Sequence, residues 1–284
     1  MLLLNLAYNI ERDDIFNGIK SIKEYFKSKN INIGISESVE CKTHFLKIFS
    51  DCELNKKLIN VFNIYAANML YDILIDEFYN KELDSFLNDM YFFLQNDEMN
   101  YIKNESLNII KGKISIVDDN SIYCINKKNN IIKKIATFID ENNTINVEGF
   151  ITFRMKDILD DIKSIIDKIV EEYMVEKEYD EFIKLLKYFV EIQESKIDYM
   201  DIVIENSGDY IIKNKHGIDI TTKLFSQLTE FKTDKNASTE DLLISTLITN
   251  SPEKIIIHSI ENCRNKEVID TIKKVFTDRV MIYK

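Results

Sequence analysis

The sequence predicts an α+β fold, and three observations carry the prediction. Glycine (6) and proline (1) are scarce among 284 residues, too few breakers for the many turns of a β-sandwich. Apolar residues at helical spacing run through the middle of the chain, while short apolar strands bounded by turns mark both ends. The expected architecture is a small N-terminal sheet with a helix, a central long-helix region, and a C-terminal α/β region with a hairpin and a parallel crossover. The matching division is 1–117, an N-terminal α/β plus helical lobe; 118–147, a connecting segment; and 148–284, a long helix plus a C-terminal α/β lobe.

The first strand is Leu2 to Tyr8. Asp13 and Asp14 are placed to cap a helix carrying Ile15, Ile19, Ile22 and Phe26. Ile31, Ile33 and Ile35 alternate with polar residues, and Thr43 to Phe49 supplies a third strand. Leu58, Phe62, Tyr65, Met69, Ile73 and Phe78 form one long helical stripe. Shorter helices are expected at about 82–95 and 98–111. Asn, Lys and Asp then dominate 118–130, the composition expected of an inter-lobe connection.

Thr144 to Val147 is a short strand, and Gly149 follows it ahead of a helix. From Met155 to Tyr173 apolar residues hold helical period. At 176–178 the stripe is interrupted by Glu176 and Lys177, and it resumes displaced at Tyr179, Phe182, Leu186 and Phe189. One kinked helix or two helices meeting there would both fit, with the single helix preferred. Asn206-Ser207-Gly208-Asp209 between Ile202–Glu205 and Tyr210–Lys213 predicts a hairpin. A short strand is expected at Ile218 to Ile220, and helices at 223–230 and, capped by Ser238, over Leu242 to Ile248. Lys254–His258 and Arg279–Tyr283 are strands around a helix from Asn265 to Phe276, the pattern of a parallel crossover, right-handed by default.

Charge narrows the partners. Thirty-seven basic against 48 acidic residues leave a formal charge of −11, which works against a nucleic-acid backbone as ligand, because such binding needs a surplus of cations. Lys127-Lys128 and Lys133-Lys134 are where such binding would have to begin. Cys41, Cys52, Cys124 and Cys263 are scattered without a C-x-x-C pair, as in free thiols of a reducing cytosol. The apolar N-terminus has no basic lead and no cleavage site, and no apolar run approaches the length of a bilayer span. A cytoplasmic location is expected.

The groups that do chemistry are dispersed. The three histidines, His44, His216 and His258, offer no pair at helical spacing for zinc. Cys41 and His44 are close in sequence, but an odd offset on a strand sends them to opposite faces. His258, at a strand end, and Cys263, beside Arg264, form a weak candidate ligand site in the C-terminal lobe. Carboxylates and lysines interleave between Asp157 and Lys184 as on a solvated helix face. The six glycines are isolated, so no phosphate cradle forms. No catalytic residue, cofactor or metal site is assigned.

Glu148-Gly149-Phe150-Ile151-Thr152-Phe153-Arg154-Met155-Lys156, the stretch Tyr173 to Val190 and Gln193-Glu194-Ser195-Lys196 together resemble the YtxC-like sporulation protein family. Asp241 to His258, with Asn250-Ser251-Pro252 at its centre, is similar to the same family's second landmark. The resemblance implies a cytoplasmic protein of endospore-forming Firmicutes associated with sporulation, and it brings no established activity. Among the matching residues, Arg154 heads the helix against its macrodipole and so invites a carboxylate. Glu176, Lys177, Glu178 and Tyr179 sit where the stripe breaks, a place where a partner or second helix is often met; Gln193 completes the candidate interaction residues. The expected function is a non-enzymatic accessory or protein-interaction scaffold with a protein partner and no nucleic acid. The alternative is a small-ligand-binding protein or enzyme with its site in the C-terminal lobe.

Overall fold

A computed structural model describes residues 1–9, 13–113, 119–229 and 238–283. The chain divides into two compact units, Met1–Tyr173 and Met174–Lys284. The division falls inside one helix of 46 residues, Val147–Ile192.

The first unit begins with β1 (Leu2–Tyr8), α1 (Asp13–Lys27), β2 (Ile33–Glu40) and β3 (Thr43–Ser50), followed by α2 (Lys56–Lys81), α3 (Leu83–Met90) and α4 (Asn96–Ile110). It closes with α5 (Asp119–Glu141), β4 (Thr144–Asn146) and the first part of α6 (Val147–Ile192). The sheet order is β2-β3-β1-β4, antiparallel except for the parallel pairing of β1 with β4. β2 and β3 join through Cys41 and Lys42, both at positive φ (48° and 73°), the conformation of a two-residue hairpin matched to strand twist.

The core of this unit follows from the α1 and α2 stripes. Ile15, Ile19, Ile22 and Phe26 are buried on α1, and α1 and α5 both pack against α2. By length and composition α2 could cross a membrane, a property the run lengths did not suggest, yet 56% of its most apolar window is buried inside the protein. Two of its buried polar side chains are also satisfied internally: Tyr71 donates to the Ile110 carbonyl at 3.0 Å, and Asn63 donates to Asp140 at 2.9 Å.

Residues 118–147 do not serve as a connection between lobes. Apart from 118, which lies outside the described residues, they build α5, β4 and the first residue of α6 within the first unit. Their apolar content is sparse but spaced by four, and Ile131, Ile135 and Ile139 are buried. The start of α6 also differs from expectation. Gly149 lies inside its first turn and not ahead of it, with its N–H donated to Asn146 Oδ1 at 2.7 Å. Asn146 thus satisfies one of the orphan donors of the helix start. Glu148 accepts the backbone N–H of Asn9 at 2.8 Å, tying the end of β1 to the helix.

The second unit continues from α6 with β5 (Tyr199–Ile204), β6 (Tyr210–Lys213), α7 (Thr221–Thr229), α8 (Thr239–Asn250), β7 (Lys254–His258), α9 (Lys266–Phe276) and β8 (Val280–Tyr283). The sheet order is β6-β5-β7-β8. β5 pairs antiparallel with β6, whereas β5, β7 and β8 run parallel, so the hairpin and the parallel crossover are both present. The strand expected at Ile218–Ile220 is only a single bridge, Lys213 to Asp219. Gly208 turns the hairpin at φ +86°, a conformation that calls for glycine, and a Cβ there would also press within 2.7 Å of the exposed, flexible Arg264 side chain.

One face of this sheet is packed. Met200, Ile202, Ile204, Ile255 and Ile257 join Leu243 and Leu247 of α8, Ile269 and Ile272 of α9, and Ile183, Leu186 and Val190 of α6. Ser251 draws these elements together. It caps α8 at φ 42°, donates from Oγ to the Val190 carbonyl in the last turn of α6 at 3.0 Å, and accepts from Arg279 at 3.1 Å.

The contact of α1 with α2 is tight at Gly18, where an added Cβ would lie 2.4 Å from Met69 Cγ. Gly18→Ala is expected to lose about 1–3 kcal/mol through overpacking, despite the better helix propensity of alanine. Gly34→Ala, with nothing within 4 Å of the new methyl, serves as the control and should stay near neutral in urea denaturation.

Candidate functional site

The break in the α6 stripe meets another helix of the second unit. Tyr179 reaches α9, its hydroxyl 2.8 Å from Thr271 Oγ1, and Lys274 of α9 lies over the Tyr179 ring, 4.7 Å from its centroid. Lys274 also sits 3.9 Å from Asp180. Beside these contacts opens a groove of about 570 Å³ lined by Val175, Glu176 and Tyr179 from α6 and by Glu267, Asp270, Lys273 and Lys274 from α9. Lys273 is 3.6 Å from Asp270. The groove wall therefore carries three carboxylates and two lysines, and both lysines already have anionic neighbours.

Of the candidate interaction residues, the structure places Glu176 and Tyr179 in this groove. Lys177 is half-buried and Glu178 exposed on adjacent positions of α6. Gln193 follows the last turn of α6, with its Oε1 buried and without a hydrogen-bond partner. Arg154 stands apart in the first unit. It does not head α6, which begins seven residues earlier, so the macrodipole cost expected of it has faded by that depth. Its carboxylate is internal: Nη1 donates to Asp157 at 2.8 Å, and the guanidinium stacks on Phe138 at 4.5 Å.

Arg154 helps line a second groove, between α5 and α6 in the first unit, of about 330 Å³ and floored by Ile135, Phe138, Phe150 and Ile158. Next to it Asp161 receives both Lys127 (3.1 Å) and Lys134 (2.6 Å). Burial pushes the Asp161 carboxyl up, but the two lysine hydrogen bonds outweigh it and hold the pKa below the ordinary 3.8. Lys128 is turned inward over the Tyr71 ring at 5.1 Å, its pKa lowered by burial against the opposing pull of Asp72. Three of the four clustered lysines thus already have partners within the protein, Lys134 through a pair at the surface.

The weak ligand site does not assemble from the two residues expected. Cys263 points into the core, where its Sγ lies 3.4 Å from the Tyr210 hydroxyl and 3.1 Å from the Asn265 carbonyl oxygen. His258 alternates with the buried Ile257 and faces the other side of the sheet, 36% exposed at its side chain. There its Nε2 lies 2.6 Å from Asp201 on β5, and its ring stacks on Tyr283 at 5.7 Å. Asp201 was not singled out in the sequence. The parallel register that sets β5 beside β7 brings it to His258, and no local pattern announces that pairing. His44, in the first unit, is held by Glu37 at 2.9 Å and stacks on Tyr8 at 5.1 Å, while Cys41 is exposed at the hairpin tip. Among the described residues, no group of three or more His, Cys, Asp or Glu side chains is arranged to hold a metal ion.

The stretches singled out from 148 to 258 thus form the start of α6, its later turns, and the α8-turn-β7 unit around Ser251. A family model described as the YtxC-like family matches residues 64–281. The chain belongs to the YtxC-like family. It is similar to "Uncharacterized protein YtxC" of Bacillus subtilis (strain 168), with 23% identity over 140 residues, 49% of this chain and 48% of that protein. The alignment therefore spans about half the length of that relative. No solved structure matches the chain. The YtxC-like match begins in α2 and reaches β8, so it takes in both grooves and the Ser251 contacts.

The Asp161 clamp between α5 and α6 has a pH signature. A lowered carboxylate pKa contributes stability above its unfolded value, and that contribution is lost as pH falls through the folded one. Asp161→Asn should therefore lower the melting temperature at pH 7, and the difference from wild type should shrink as pH falls below 3.8. Thermal melts in parallel buffers measure both.

Proposed function

We propose that this YtxC-like chain is a non-enzymatic accessory or protein-interaction scaffold working in the cytoplasm of sporulating cells. The sporulation setting rests on the family resemblance carried by residues 148–258. The interaction reading rests on the α6–α9 groove, an open trough walled by long charged side chains of both signs and by Tyr179. Such a wall suits a polar interface rim around an aromatic anchor. In-cell cross-linking and affinity capture with the tagged chain, in growing and in sporulating cells, should enrich a specific protein at sporulation. A double change of groove residues, Glu176→Lys with Asp270→Lys, should reduce that enrichment. Repeated capture without a specific partner would remove the proposal.

One observation favours a second reading, a small-ligand-binding protein or enzyme in the C-terminal lobe. A histidine beside a carboxylate is a common acid–base arrangement, and His258 Nε2 lies 2.6 Å from Asp201 Oδ1, close enough for an ion pair although the oxygen has no aligned hydrogen bond. A thermal-shift screen with small anionic and neutral metabolites would find a stabiliser whose effect disappears in His258→Ala. If every stabilising compound acts equally on that variant, the pair is structural.

A further inference from the structure

Val175, Phe182 and Phe189 recur at intervals of seven along α6, and Glu178, Leu185 and Ile192 follow at the same interval, three residues on. Alternating steps of three and four define one seam along a helix, the pattern by which two helices pack side by side. The apolar members of this seam lie open: Val175 is 62% exposed, Phe182 52%, Leu185 51%, Phe189 43% and Ile192 60%. Ile183, Leu186 and Val190, interleaved with them on the neighbouring face, are in the core of the second unit. These turns of α6 are therefore apolar on two faces, and only one is used. Single exposed apolar residues are ordinary. Four large ones, Phe182, Leu185, Phe189 and Ile192, follow one another in the heptad row over about 15 Å, at 1.5 Å per residue, a patch of the kind that marks an interaction surface, and Val175 continues the row beyond Glu178.

Charge decides the occupant. Glu178 is the one polar member of the seam, exposed and, among the described residues, without a cation beside it. Glu181, just off the seam, is also exposed and acidic. In an antiparallel pairing with a second copy about the seam's midpoint, Val175 would meet Ile192, Phe182 would meet Leu185, and Glu178 would face Phe189. Two carboxylates would then lose water against phenyl rings without compensation. In a parallel pairing Glu178 would face its own copy, placing like charges together. A helix of another protein carrying Lys or Arg at that layer would remove the cost, and a polar layer in an apolar seam is a known determinant of register and partner choice. We infer that the seam docks an amphipathic helix of a different protein, apolar at its own seam positions and basic opposite Glu178. This rests on the scaffold reading above and names the class of partner.

The test uses two synthetic helices of about three heptads, with leucine along the seam and either Lys or Glu at the layer facing Glu178. Each is labelled, kept dilute and titrated with the full chain by fluorescence anisotropy. The Lys helix should bind at least about tenfold tighter than the Glu helix, and Glu178→Lys should reverse that order. Leu185→Asp should abolish binding of both. Because Leu185 is exposed the fold should persist, checked by circular dichroism, with Ile192→Asp as the second variant. Equal binding of the two helices, or no binding of the Lys helix to the folded wild-type chain, overturns the inference. So does a concentration-dependent dimer in sedimentation that Leu185→Asp disperses, because a second copy would then be the occupant. A partner captured from sporulating cells that still binds Leu185→Asp leaves the scaffold reading standing and removes this one.

Discussion

Residues 147–192 must remain helical while supplying apolar side chains to two separate cores, and much else in the molecule follows from that constraint. In the first unit α6 buries Ile158, Ile162, Ile165, Ile166 and Ile169; in the second it buries Ile183, Leu186 and Val190. A helix long enough to do both needs a defined beginning and end. Asn146 supplies the first by accepting the Gly149 N–H. Ser251 supplies the second by donating to the Val190 carbonyl. Between them the side-chain row shifts around the helix, and polar residues occupy the shift. Glu176 and Tyr179 fall at that shift for a physical reason: there the helix stops serving one core and starts serving the other.

The elements with strong periodicity were legible in the sequence because one local signal sufficed for each. The α1 stripe, the Asn206–Asp209 hairpin, the capping box of Ser238 with Asp241 and the β7-α9-β8 crossover all carry their instructions within a dozen residues. The α5 helix was not legible as part of a core. Its buried residues are single isoleucines four apart in a background of Asn and Lys, and the cost of ordering that background is met by α2, which is far away in sequence. The position of Arg154 was misjudged for a related reason. β4 ends after three residues, so the helix starts earlier than Gly149 suggested, and no propensity argument resolves a boundary of two residues.

The candidate site was legible only in part. The polar interruption at 176–178 marked one wall of the α6–α9 groove, but the other wall comes from Glu267, Asp270, Lys273 and Lys274, which on their own look like the solvated face of an amphipathic helix. The same limit applies to His258. Parity along β7 places it on the face opposite Ile255 and Ile257, and this much follows from the sequence. That Asp201 stands beside it depends on β5 and β7 being neighbours in register, Val203 against His258 and Asp201 against Ile256. That pairing is a property of the sheet, not of either strand.

The residues that carry the family resemblance divide by the work they do. Glu148, Gly149, Ser251 and the apolar members of α8 hold backbone ends and core contacts, and each acts through a hydrogen bond or a buried face within its own unit. Their conformations are demanding. Ser251 sits at positive φ, a position that costs energy for a residue with a side chain, and it is kept there by its bonds to Val190 and Arg279. Strain retained at the meeting point of α6, α8 and β7 fixes the last turn of α6 against the sheet. With that turn fixed and its buried face committed to the core, Phe182, Leu185 and Phe189 cannot rotate inward. The exposure of these side chains is thus imposed by the packing of their neighbours, and removing it would mean giving up Ile183, Leu186 and Val190.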